Sequence, residues 1–361
     1  MMLLGRLTRN NLIALATALT LLLTIQLYRY SGSPAQGAQS SPKWKDWGMI
    51  ADEPTETQHT PPIIEPPIEE KEKEKETEKP KCESAAMTNP IPALNITITV
   101  PKDMTFDPAG PRPDQIILLT ASDGGGHNGG IANIMEHTAD NRKEYCARHG
   151  YIYHFVNIAQ FDIECAHPVW KKIPAIVDAF NTYPDAQWVF FLDLDAIIMS
   201  PERDLHSSLL SQKGMLQSLN LGAQFLGLES VRLGLHMDTE PDLANLDLLI
   251  AQDQNGINAG SFFLRRSHFT QWLLDMWVDP FFYRMDWFGQ EQQTLLHLIE
   301  HHKTLRDHLG LIKQRVANAY PIGPEYMKWQ EGDLLVHFAG CWVDSSCQER
   351  WAEFWNKRGR A

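Results

Sequence analysis

Basic charge is scarce in this sequence: 32 Lys and Arg stand against 45 Asp and Glu, a formal net charge of −13 at pH 7. That balance offers no electrostatic footprint for a phosphate backbone and argues against a nucleic-acid partner. A clear dinucleotide fingerprint is missing as well. The glycine-rich stretch "SDGGGHNGG", from Ser122, is only a weak match to the G-x-G-x-x-G spacing, and no acid stands clearly at the end of the strand that follows it. Cysteines number 5. Cys341 and Cys347 could close a small loop in an oxidising compartment and Cys146 could pair with Cys165, with buried free thiols as the alternative and Cys82 left odd.

The amino-terminal part differs from the rest. After Arg6 and Arg9, the run "NLIALATALTLLLTIQLY", Asn11 to Tyr28, carries no charge. It is long enough to cross a bilayer as a helix of about 20 residues. The length of the run, and the lack of a convincing small-residue cleavage site just after Tyr28, make residues 11–28 read as an uncleaved signal-anchor rather than a cleaved signal peptide. The preceding arginines make residues 1–10 a cytosolic tail and the remainder luminal. Residues 31–112 are rich in Pro, Ser and Glu, with "PTETQHTPPIIEPPIEEKEKEKETEKPK" at their centre. Such a stretch lacks the apolar surface to offset chain entropy and reads as a disordered luminal stalk. Asn95-Ile96-Thr97 is a glycosylation sequon, consistent with a luminal face.

A folded domain is expected over 113–361. Gln115 to Thr120 reads as a buried strand, and the glycine-rich turn ends it. A helix from about Ile131 to His149 follows, capped by Gly150, then the strand "YIYHFVN" and a helix in "VWKKIPAIVDAFNTYP". The strand "WVFFL" comes next. This β-α-β-α-β order predicts an α/β fold, Rossmann-like, with a mostly parallel sheet covered by helices on both faces.

At the carboxyl end of "WVFFL" stand Asp193 and Asp195 with only Leu194 between them. On an extended backbone the two acids point to one side. Like charges so close ask for a divalent cation, which suits hard oxygen ligands, and ligands of open α/β sheets gather at this end of the strands. The bland alternative is a strand end with two hydrated acids. "DLDAI" also fits a two-aspartate phosphatase, but that motif normally opens its domain, and here two strands and two helices precede it.

The order of parts resembles a known family. From roughly Gln115 to Trp355, the blocks "TASDGGGHNGG", "NRKEYCARHGY", "HPVWKKIPAI", "FLDLDAIIM", "QDQNGINAGSFFLRRS", "GQEQQTLLHLI", "QRVANAYP" and "VHFAGC" resemble glycosyltransferase family 34. These are fungal Golgi galactosyltransferases and mannosyltransferases, type II membrane proteins with a GT-A fold. The stretch "EQQTLLHLIEHHKTLRDHLGLIKQRVANAYP" is most similar to subunits of the fungal Golgi mannan polymerase.

The resemblance implies that Asp193, Asp195 and His337 hold manganese on the donor's diphosphate, with contact of Asp193 to the ribose or through water as an alternative. It implies that Ser122, Asp123, Gly124 and Gly125 form the nucleotide-binding turn, and that Lys172, beside Lys171, contacts phosphate. Asn258, Ala259 and Gly260 are expected near the hydroxyls of the donor sugar. Glu291 and Gln292 are expected near its anomeric carbon as catalytic groups, in a reaction that retains configuration. Trp272, Trp277 and Trp287 lie towards the expected acceptor side, with core packing preferred for Trp272 and Trp277. The implied activity is α-1,6-mannosyl transfer from GDP-mannose to a mannan or N-glycan acceptor. α-1,2-Galactosyl transfer from UDP-galactose is the alternative, and a non-catalytic scaffold or glycan-binding subunit among other Golgi mannosyltransferase subunits is the third reading.

Overall fold

Runs with no polar break set the centre of the molecule. In the computed structural model, which describes residues 94–102, 104–126, 128, 130–163, 166–285 and 287–358, β1 (Ile116–Ala121) is buried along nearly its whole length and β3 (Trp188–Leu192) completely. Burial on both faces is what continuous apolar strands in a helix-covered sheet require. β1 pairs in parallel with both β2 (Ile152–Val156) and β3. The crossovers are α1 (Ile134–His149), ended by Gly150 at φ 77°, and α2 (Lys172–Thr182). A left-handed C-terminal cap of this kind favours glycine.

The expected mostly parallel sheet turns out mixed. Its order is β2-β1-β3-β8-β7-β9, with β7 (Leu248–Asp253), β8 (Gly256–Arg265) and β9 (Leu309–Leu311). β8 runs antiparallel to both β3 and β7, and β9 is parallel to β7. The reason is local: β7 and β8 are joined by the tight turn at Gln254 and Asn255, which is too short for a crossover. Gly256 closes it at φ 94°, where a Cβ would stand 2.8 Å from the Leu226 carbonyl oxygen. The helices α3 (His268–Trp277) and α4 (Gln290–His301) follow β8.

Beside the main sheet, β4 (Ala196–Ile198) pairs antiparallel with β10 (Leu335–His337). A second apolar cluster packs there, comprising Leu194, Ile197, Met199, Val336 and Phe338 with Trp351 and Phe354 of α5 (Cys347–Lys357). Two further strands, β5 (Gln224–Leu226) and β6 (Arg232–His236), form a separate ribbon. Numbering follows chain order throughout.

Two expectations change. Asp193 and Asp195 do not lie on extended strand; they occupy the turn between β3 and β4. The stalk, expected to reach residue 112, gives way earlier. Ile96 and Ile98 are buried in the main core, the Ile98 amide donates to Gln271 Oε1 (2.6 Å), and Arg266 Nη1 donates to the Thr99 carbonyl (2.8 Å). The stretch alternates, with Asn95, Thr97 and Thr99 outward, a local pattern that a Pro- and Glu-rich average conceals. Of the two pairings left open against free thiols, Cys341–Cys347 is formed, and Cys146 is a buried free thiol, pushed up to about 12 by burial. Residues 1–93, with the tail, the 11–28 run and Cys82, lie outside the described residues, as does Cys165. Among the described residues no helix is long and apolar enough to cross a membrane.

Candidate active site

The site forms where β3 stops. The Asp193 amide donates to the Gly260 carbonyl (2.8 Å), which ties the turn to β8, and buried Leu194 sends its side chain into the second cluster. The backbone then reverses into β4, whose Ala196 lies opposite His337 of β10. That register brings His337 Nε2 to 3.5 Å from Asp195 Oδ1. Asp193, Asp195 and His337 each offer a ligand atom, all within 4.8 Å of one another. Two carboxylates and one imidazole suit manganese and similar divalent ions. The floor fits such a group too: at Gly260 a Cβ would lie 2.3 Å from His337 Cε1 and 2.8 Å from Asp193 Oδ2, so only glycine leaves the ligand atoms clear.

Asp195 and His337 are buried, while the Asp193 side chain is 35% exposed. Of these three candidate ligands, Asp193 is therefore the one open to an incoming molecule. Burial by itself favours a neutral Asp195, but the adjacent His337 holds its carboxyl below the ordinary value. Burial would likewise depress His337, yet the carboxylates of Asp195 and Asp193 raise it.

Next to the trio is a buried ion pair. Lys172, at the start of α2, places Nζ 2.7 Å from Glu291 Oε1 of α4 and 3.7 Å from Asp193 Oδ1, and donates to the Ala259 carbonyl at 2.8 Å. Burial depresses the ammonium, but the carboxylates of Asp193 and Glu291 outweigh it and raise Lys172; burial raises Glu291 as well, with Lys172 opposing. Glu291 and the Ala259 carbonyl thus take two of the three ammonium donors. Gln292 Oε1 accepts from the Ala259 amide at 3.4 Å, and Trp277 Nε1 donates to the Glu291 carbonyl at 2.7 Å.

Beneath the turn lies Arg142 of α1, fully buried. It donates to the carbonyls of Leu192 (2.9 Å) and Asp193 and to Thr120 Oγ1. Burial lowers it to about 10, against the raising effect of Tyr153, Asp193 and Asp195. It stays charged at neutral pH and supplies a fixed positive charge behind the acids.

Behind His337 runs a chain of side chains. His337 Nδ1 meets Asn318 Oδ1 (2.8 Å), Asn318 Nδ2 donates to Asn258 Oδ1 (3.0 Å), and Asn258 Nδ2 donates to Tyr320 (2.9 Å) and to Asp253 (3.2 Å). Asn258 Oδ1 also accepts from the Gly260 amide. All its hydrogen-bonding positions are filled by protein, so the side-chain amide expected near the sugar hydroxyls serves the interior instead.

The glycine-rich turn follows β1 at the same end of the sheet, since β1 and β3 run parallel. Ser122 Oγ and Asp123 Oδ1 accept from the amides of Gly124 and Gly125, each at 3.0 Å. Farther along the loop, Asn128 hydrogen-bonds Asp195. Gly124 and Gly126 have φ of 81° and 85°, so this open loop needs glycine for its conformation.

The structure thus joins Lys172, Asp193, Asp195, Ala259, Gly260, Glu291, Gln292 and His337 in one cluster, with Ser122 to Gly125 on its rim. Of the tryptophans, Trp277 is fully buried as preferred, Trp272 is exposed rather than packed in the core, and Trp287 donates Nε1 to the Phe282 carbonyl; Phe281 and Phe288 are exposed as well. Sequence reasoning missed Arg142, Asp253, Asn318 and Tyr320. Each lies in a motif block, but a helical Arg reads as solvated, and Asn318 acts only through partners far along the chain.

Sequence comparison finds relatives over most of the folded domain. The chain is 37% identical over 251 residues to a probable alpha-1,2-galactosyltransferase, gmh2, of Schizosaccharomyces pombe, covering 68% of this chain and 71% of that protein. It is 30% identical over 260 residues to a probable alpha-1,6-mannosyltransferase, MNN10, of Saccharomyces cerevisiae, covering 67% and 64%. A solved glycosyltransferase involved in glycosylation of the PBCV-1 major capsid superposes with a TM-score of 0.45 at 15% identity, over 66% of this chain and 98% of that one. The sequence profile of the galactosyl transferase GMA12/MNN10 family matches residues 112–348, a span that contains every residue of the cluster from Arg142 to His337, and the chain therefore belongs to that family of glycosyltransferases.

Proposed function

We propose that the chain transfers a hexose from a nucleotide sugar to a mannan or N-glycan hydroxyl, with retained configuration, using a divalent cation held by Asp193, Asp195 and His337. The observation that carries this reading is the convergence of those three ligands within 4.8 Å beside the buried Lys172–Glu291 pair. Manganese, when bound, offsets the charge that develops on the leaving diphosphate. The remaining work falls to the chain. The turn from Ser122 to Gly125 lets backbone approach the nucleotide closely, and β8 at Ala259 and Gly260 forms the floor under the sugar. Lys172 fixes the Glu291 carboxylate, and Glu291 faces positive charge developing at the anomeric carbon. Arg142 holds the turn in place from below.

UDP-galactose is the first donor by this reading, supported by the higher identity to the probable galactosyltransferase, 37% against 30%. GDP-mannose is the second, supported by the MNN10 relative. The reading places the domain in the Golgi lumen behind the 11–28 anchor; the Cys341–Cys347 bridge suits an oxidising compartment. The test is the full chain assayed with each nucleotide sugar and Mn2+. Galactose transfer is expected; mannose transfer alone moves the donor to the second reading, and neither transfer nor donor hydrolysis overturns catalysis in favour of a scaffold.

A further inference from the structure

Two groups whose hydrogen-bonding sense cannot reverse stand at the far end of the side-chain relay behind His337. The Gly260 amide can only donate, and it donates to Asn258 Oδ1 at 3.1 Å. Asp253 collects three donors: the Asn255 amide, the Tyr320 hydroxyl and Asn258 Nδ2. A carboxylate in that position can only accept. Both constraints fix one orientation of the Asn258 amide, with nitrogen towards Asp253 and oxygen towards Gly260. Asn318 meets that oxygen and must present its own nitrogen there (3.0 Å), which turns its oxygen to His337 Nδ1 (2.8 Å). An acceptor at that point requires a proton on Nδ1. Nε2, on the side of Asp195, then carries the lone pair.

The relay is sealed from water: Asp253, Asn258, Asn318, Tyr320 and His337 are all buried. Reversing any single link would set donor against donor or acceptor against acceptor where no solvent can compensate. Ligating imidazoles commonly have their second nitrogen fixed by such a partner. In this chain the direction is decided beyond Asn318, where the Gly260 amide and Asp253 together orient Asn258.

We infer that Asp253, acting with the Gly260 amide through Asn258 and Asn318, is a positioning residue that holds His337 in its Nδ1–H tautomer and so presents Nε2 to the cation of the Asp193–Asp195–His337 site. The inference rests on the proposed cation site for its purpose but not for the tautomer itself. The test uses two readouts on the full chain: 15N chemical shifts of His337 in metal-free protein, at a pH where the ring is neutral, and the Mn2+ Kd by EPR. Wild type should show a protonated Nδ1 and an unprotonated Nε2. Asn318→Ala should mix the tautomers and weaken Mn2+ binding by about 10–100-fold, and Asp253→Asn, which leaves only the Gly260 amide to orient Asn258, should do both to a smaller extent, whereas Asn318→Asp, which keeps an acceptor at Nδ1, should retain the tautomer. An unchanged 15N pattern and Kd in both disrupting variants overturns the inference. If Asp253→Asn fails to fold, Asn318→Ala against Asn318→Asp decides the same question. Wild type with the expected tautomer but no Mn2+ binding sinks the cation reading alone; Mn2+ binding with a protonated Nε2 in the metal-free ring sinks the inference alone.

Discussion

Gly260→Ala adds one methyl group where the structure has no room for it. Gly260 is not among the residues of positive φ, so the demand for glycine is spatial rather than conformational. A Cβ there would lie 2.3 Å from His337 Cε1, 2.9 Å from His337 Nε2 and 2.8 Å from Asp193 Oδ2. Carbon atoms rest at about 3.5–4.0 Å, so the nearest contact is short by more than about 1 Å. The ring cannot easily yield, because Nδ1 is tied to Asn318 and the His337 amide donates to the Ala319 carbonyl at 2.8 Å. Overpacking of this kind costs about 1–3 kcal/mol of stability, which a thermal or urea titration reads. The effect on activity should be larger than that loss suggests, since a displacement of about 1 Å at a reacting site can cost about 100-fold. The expected result is a folded protein with kcat/KM down at least about 100-fold and weakened Mn2+ binding. A Gly260→Ala protein that binds Mn2+ and transfers sugar as wild type does would refute the placement of His337 and Asp193 around this floor.

Lys172→Met should destabilise the fold by about 3–5 kcal/mol because it leaves Glu291 buried without its partner; Lys172→Met/Glu291→Gln should recover much of that in urea unfolding while remaining inactive, and equal losses in both proteins would show that the pair is not coupled. In EDTA, the folded-state value of His337 is raised, so its contribution to stability is complete below the ordinary imidazole value, about 6.5, and is lost as pH rises through the higher folded value. Thermal midpoints should therefore decline above that point, and His337→Asn should flatten this part of the profile; a wild-type slope surviving in His337→Asn contradicts the assignment. Removing the Cys341–Cys347 bridge, with its sequence separation of 6, should cost about 2 kcal/mol by loop-closure entropy, measured by urea unfolding of the double Ala variant, and an unchanged midpoint would count against a structural role.

Much of the scaffold was legible because it is local. "WVFFL" and "IILLTA" are strands by apolar content, Gly150 ends α1, and the glycine-rich turn ends β1. The antiparallel entry of β8 was less legible, although the short turn before Gly256 contained it. Ile96 and Ile98 were hidden by the composition around them, since their burial depends on Gln271 and Arg266 far along the chain.

The one-dimensional chain determined that two acids follow a buried strand, that glycine stands at residue 260, and that competent ligands, cations and carboxylates are present. Only the tertiary structure decided which of them meet. His337 reaches Asp195 because Ala196 and His337 are opposite each other in a two-stranded ladder. Glu291 meets Lys172 because β8 lies between α4 and the end of β3, and Asp253 governs an imidazole it never touches. Propensity and periodicity act over a few neighbouring residues, whereas pairing register and the direction of a buried hydrogen-bond chain arise only when distant segments exclude water together.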